Sequence, residues 1–154
     1  MLDLIKELKE LTRTFAERNV PYALCGGLAM AVHKLARATI DIDLLIPAEA
    51  LADVWAVAQE RGFDIKGLDM TFAGGAVEIR RISRIERESG EVLTLDLLLV
   101  TPQLREAWET RLEATWQGEP LWVVSAEGLI QLKSFRNSGQ DQDDIKRLRG
   151  ENVP

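Results

Sequence analysis

Residues 25–46, CGGLAMAVHKLARATIDIDLLI, restrict this part of the chain to one arrangement: a strand, a glycine turn, a short helix and a second strand. Gly26 and Gly27 leave the backbone bare where a phosphate can approach. An alanine-rich helix follows over 27–36, and Asp41-Ile42-Asp43 enters an apolar strand over 41–46 that Pro47 closes. Side chains alternate faces along a strand, so Asp41 and Asp43 point the same way. Two carboxylates on one face, just past a glycine turn, suit a hard cation carrying phosphates. Two solvated carboxylates at a strand entry are the plainer alternative. Arg37 and Thr39, between helix and strand, are expected to orient the loop and the carboxylates; for Arg37 a simple surface charge is the other reading.

A second feature stands far from the first in sequence. Residues 93–100, LTLDLLLV, form an apolar run that reads as a central buried strand with Asp96 in its middle. An unpaired carboxylate there costs several kcal/mol, so something must compensate it. A salt bridge to an arginine is one answer. A cation shared with Asp41 and Asp43 is the other.

The remaining pattern mixes helices and strands without strict alternation. Residues 2–18 read as a helix with Leu4, Ile5, Leu8, Leu11 and Phe15 on one face. Strands are expected at 22–25, 63–66, 76–83 and 92–100, with a turn region from 67 to 75. A helix is expected over 48–61 and a short one from Pro102 to about Thr110. A hairpin follows around Gly118. Ser125 caps a helix to about Phe135, and Asp141 caps a last one to Arg149. The pattern predicts a mixed α/β sheet flanked by helices. Arg80, Arg81, Arg84 and Arg87 form a basic cluster, expected to be a surface balanced by Glu78, Glu86 and Glu88 rather than a nucleic-acid contact. His33, the single histidine, is expected to be packed or partly exposed rather than a catalytic base.

The ordered set of Gly26-Gly27, a short helix, Arg37-x-Thr39-x-Asp41-x-Asp43, the strand residue Asp96 and the segment QLKSFRNSGQDQDDIKRL at 131–148 resembles the nucleotidyltransferase superfamily that includes DNA polymerase beta. Within it the chain is similar to the small bacterial branch containing the AbiEii-type toxins of type IV toxin–antitoxin systems. The resemblance implies a nucleotidyltransferase-like fold. It implies catalytic and metal-binding roles for Asp41, Asp43 and Asp96 with Mg²⁺ or Mn²⁺, Asp96 helping to deprotonate the acceptor hydroxyl. It also implies nucleotide binding by Gly26, Gly27, Arg37, Thr39 and Lys133, with an NTP as substrate. Apart from the phosphate contact, Lys133 is expected to be a solvated helix lysine, which contributes little to stability. Gln140 stands where the branch has a lysine, which removes one phosphate contact from the pattern.

The expected reaction is transfer of a nucleoside monophosphate to a hydroxyl, with release of pyrophosphate. The acceptor is open: RNA or tRNA in a toxin-like reading, a protein, or an antibiotic. A non-catalytic nucleotide-binding or regulatory protein on the same fold is the rival, and the intact set of three carboxylates argues against it. The 154 residues suit one minimal domain, with a catalytic core at about 20–100 and C-terminal helices at about 125–149. The large C-terminal helical domain of longer members is expected to be lacking. A homodimer or an antitoxin-like protein partner is therefore expected, with one or two of the four tryptophans at the surface. The net charge of −6 argues against a general nucleic-acid coat protein. A single cysteine, no signal-peptide pattern and no apolar run of membrane length lead to the expectation of a soluble cytoplasmic protein.

Overall fold

The computed structural model describes residues 3–35, 41–136 and 139–150. Arg37 and Thr39 lie outside the described residues. Helix α1 (Leu4–Glu17) begins where the Asp3 carboxylate accepts the Lys6 amide at 3.0 Å. It buries Leu8, Leu11 and Phe15, as its period predicts. Strand β1 (Ala23–Cys25) runs straight into α2 (Gly26–Val32), and β2 is Asp41–Ile46. A 3₁₀ turn at 48–50 leads into α3 (Leu51–Glu60). Strands β3 (Ile65–Lys66), β4 (Met70–Phe72), β5 (Val77–Ile85) and β6 (Val92–Leu99) follow. Then come α4 (Arg105–Glu109), the hairpin β7 (Leu112–Trp116) and β8 (Glu119–Val123), α5 (Ala126–Arg136) and α6 (Gly139–Leu148).

The eight strands form one sheet in the order β3-β5-β6-β2-β1-β8-β7, with β4 also paired to β5. The sheet is mixed: β2 runs parallel to β6 and β1 parallel to β8, whereas β1–β2, β5–β6 and β7–β8 are antiparallel. Helix α1 packs on α3 and β2, α2 on β1 and β2, and α5 on α4 and α6. The expected mixed sheet flanked by helices is therefore what forms. Among the described residues no helix is long and apolar enough to cross a membrane.

Three local expectations are corrected. The region 67–75 is not all turn, because Met70–Phe72 pairs with Val77–Ile79 as β4. Its two-sided exposure hides the alternation that marks a strand. Asp141 does not cap α6, which begins two residues earlier; the residue is buried and lies 3.6 Å from Arg136. The arginine cluster is balanced by other partners than those expected. Arg80 pairs with Asp69 at 3.5 Å, Arg81 with Asp96, and Arg84 with Glu7 at 3.1 Å. Glu7 is itself buried and accepts both nitrogens of the Arg61 fork at 3.0 Å. Among the described residues, Arg87 is the member of the cluster that stands exposed with no such bridge. Ser125 does cap α5, its hydroxyl accepting the Gly128 amide at 3.1 Å. Of the tryptophans, Trp122 is 37% exposed, with the Arg111 guanidinium lying between it and Trp108.

Candidate active site

Strand pairing assembles the site. Residues opposite each other on neighbouring strands share a face. Cys25 on β1 lies opposite Asp43 on β2, Asp43 opposite Asp96 on β6, and Asp96 opposite Arg81 on β5. This single row crosses four strands. Asp41 sits two residues before Asp43 on the same face, opposite Thr94. The row floors a cavity of about 360 Å³, within the range of small-molecule sites. Gly26 and Gly27 close one end, and Leu129, Leu132, Lys133 and Arg136 of α5 cover it. Those four recur at i, i+3, i+4 and i+7, one face of a helix.

Asp41, Asp43 and Asp96 thus line one cavity although Asp96 is more than fifty residues away in sequence. The partner of Asp96 is an arginine: Arg81 Nε and Nη2 donate to its two oxygens at 2.7 and 2.9 Å. Burial, then Asp96, then Asp41 push the Asp43 carboxyl up to about 7. Burial followed by Asp96 raises Asp41 as well, with Arg81 opposing. Burial raises the Cys25 thiol well above its ordinary value, which leaves it protonated and a poor nucleophile.

The donor set suits a hard cation in its chemistry. Asp41 and Asp43 offer oxygens only, and the raised Asp43 pKa records the cost of a buried charge beside two other carboxylates, which a divalent ion would offset. A ready-made three-ligand site is absent: among the described residues no three acidic, His or Cys side chains are set as ligands of one ion. The fork of Arg81 occupies both oxygens of Asp96.

Lys133 lines the cavity but is not solvated. It is buried, and its Nζ lies 3.0 Å from Oδ2 of the fully buried Asp144. Gln140, in place of the expected lysine, donates to the other Asp144 oxygen at 2.9 Å. The segment 131–148 thus stitches α5 to α6. His33 is partly buried, with Nε2 2.9 Å from the Val124 carbonyl oxygen, so it pins α2 to the segment before α5.

Gly26 has a specific cause. Its φ is +68°, and a Cβ there would overlap the Asp43 carboxylate. Gly26→Ala is expected to lower stability by about 1–3 kcal/mol and to displace Asp43. Thermal melting and the Asp43 position in a crystal of the variant test this; an unchanged melting temperature would show that the turn tolerates a side chain.

Sequence reasoning passed over Arg81, Arg136, Met70 and Phe72 as cavity residues. A signal for Arg81 was present: it follows Val77 and Ile79 in strict alternation, a charge in phase with an apolar face. Arg136 likewise continues the helical phase of Leu129, Leu132 and Lys133.

The fold is that of the nucleotidyltransferases. ANT(2″)-Ia in complex with adenylyl-2″-tobramycin superposes with a TM-score of 0.65 at 17% identity, over 94% of this chain and 86% of that one. The lincosamide antibiotic adenylyltransferase LnuA, lincomycin-bound, matches with a TM-score of 0.59 at 16% identity, over 96% and 97%. An antigenic nucleotidyltransferase-like protein from Paracoccidioides brasiliensis matches with a TM-score of 0.55 at 20% identity, over 97% and 77%. No protein-family model and no curated protein matches the sequence.

Proposed function

We propose that this chain is a cation-dependent nucleotidyltransferase that moves a nucleoside monophosphate from an NTP to the hydroxyl of a small molecule. The observation that carries the reading is the Asp43–Asp96–Arg81 row with Asp41 beside it, facing one cavity next to Gly26 and Gly27 on this fold. The acceptor oxygen bonds to the α-phosphorus, the bond to the β-phosphate oxygen breaks, and pyrophosphate leaves with that electron pair. The hydroxyl proton passes to a carboxylate of the row. Asp96 serves once the Arg81 fork opens, because both its oxygens are engaged in the resting state.

Asp41 and Asp43 would hold Mg²⁺ or Mn²⁺, which supplies positive charge to the phosphoryl oxygens when bound. Gly26 and Gly27 let the triphosphate approach the backbone, and Lys133 and Arg136 face it from α5. A small-molecule acceptor is favoured by the modest cavity and by neighbours whose bound ligands are an adenylylated tobramycin and lincomycin. RNA modification, as in the toxin-like branch, is the competing acceptor class.

The test is release of pyrophosphate from labelled NTPs with Mg²⁺ or Mn²⁺, in the presence of separate pools of small hydroxyl compounds, tRNA and protein. Label should move to the small-molecule pool. Transfer to tRNA alone would replace the acceptor assignment. Nucleotide binding without transfer to any pool would leave a non-catalytic nucleotide-binding protein.

A further inference from the structure

The carboxylate row is flanked on the same sheet face by a row of another chemistry. Two residues further along β6, Leu98 lies opposite Ile79, and Ile79 lies opposite Met70 on β4. Next comes Val77 opposite Phe72. All five line the cavity. Val77 and Leu98 are buried, Met70 and Ile79 are half-buried, and the Phe72 ring is 46% exposed at the rim. Among the described residues, the charged side chains beside this shelf are Arg81 and Asp96, which neutralise each other.

In-line transfer decides what the shelf receives. The attacking and leaving oxygens lie on opposite sides of the α-phosphorus. Gly26 and Gly27 stand at the β1 end of the row, where they leave the backbone bare, and Lys133 and Arg136 line the cavity with them. Pyrophosphate belongs at that glycine end, where the backbone is open to it. The acceptor then approaches from the other side, over β6, β5 and β4. Strands are spaced about 4.8 Å apart, so the shelf extends roughly 10 Å beyond Asp96.

We propose that the Met70–Phe72–Val77–Ile79 shelf is the acceptor subsite, and that it selects a hydroxyl compound with a flat apolar body. This rests on the transferase reading above. Among the described residues a polycationic acceptor would find no carboxylate along the shelf, and an RNA backbone would find no free cation there. An aromatic or alicyclic body buries itself against Ile79 and Met70 and stacks on Phe72. Met70 adds an adaptable, polarisable surface.

The experiment uses the full chain carrying ¹³C-methyl methionine. The sequence has three methionines, so Met70 is assigned by its loss in Met70→Leu. The probes are 2-naphthol, spermine, the dinucleotide CpA and the non-cleavable nucleotide α,β-methylene-ATP with Mg²⁺. Saturable movement of the Met70 signal by 2-naphthol is expected, but not by spermine or CpA. Phe72→Ala should weaken that response at least fivefold while leaving nucleotide affinity within twofold. Movement of Met70 by the nucleotide, with 2-naphthol excluded, would assign the shelf to the base and overturn the proposal. Preferential binding of spermine or CpA, or no saturable response, would overturn it as well. Failure of the nucleotide to bind anywhere sinks the transferase reading instead. The 2-naphthol response then reports only an apolar cavity, and the acceptor assignment falls with it.

Discussion

Asp43→Asn should melt at a higher temperature than the wild type at pH 8 and yet lose nucleotidyl transfer. Both effects follow from one carboxylate. Its folded-state pKa of about 7 stands above the ordinary 3.8, so the folded protein holds this proton more tightly than the unfolded chain does. That contribution is complete below about pH 3.8 and is lost as pH rises through about 7. At pH 8 without cation, the folded state carries the charge at a cost of roughly 2–4 kcal/mol. Asparagine removes the charge, and the melting temperature should rise by about 5 °C or more. The gain should vanish near pH 4, where wild-type Asp43 is already protonated in the fold. Transfer should fall at least about a thousandfold, the scale of losing some 4 kcal/mol of charge stabilisation. Mg²⁺ should strengthen NTP binding in the wild type and not in the variant. A variant no more stable than wild type at pH 8 would mean that the charge on Asp43 costs the fold nothing. Retained transfer would remove it from the chemistry.

Lys133→Ala is expected to destabilise the protein by about 3–5 kcal/mol, the loss seen when one partner of a buried ion pair is removed. Asp144 would keep Gln140 at 2.9 Å but lose the ammonium 3.0 Å away. Urea unfolding measures the loss. The double variant Lys133→Met/Asp144→Leu should recover most of it, because an apolar pair of similar volume leaves no uncompensated charge. It separates the two roles of Lys133: if the lysine also contacts phosphate, the recovered fold still binds NTP more weakly. A change below half a kcal/mol in Lys133→Ala would restore the picture of a solvated lysine.

The parts of the site carried by local rules were legible. Alternation placed Asp41 and Asp43 on one face and set the bounds of β2 at 41–46. A carboxylate inside LTLDLLLV announced that Asp96 needed a partner. What periodicity cannot supply is which element faces which. The guanidinium on Asp96 depends on the antiparallel register of β5 with β6; Ser89-Gly90 marks the turn between them, but a turn signal alone does not say which residues pair across it. Lys133 was misread because its burial comes from α6, a mostly polar helix, folding back over α5. β4 was missed because an edge strand has no second neighbour to impose alternation.

The position of β4 has an evolutionary consequence. It joins the sheet by only three residue pairs, all to β5, and stands off the main path of strands. The carboxylates sit on β2 and β6 in the interior of the sheet, held by six pairs in register. Drift in β4 therefore leaves the centre untouched. A lineage can exchange one rim for another by insertion, deletion or substitution at 70–75, where Gly74 and Gly75 turn the chain in open space. The interior pair has no such freedom, since a one-residue slip of β6 would turn Asp96 to the opposite face. Divergence among descendants of this chain should accordingly accumulate at the sheet's margin and spare its middle.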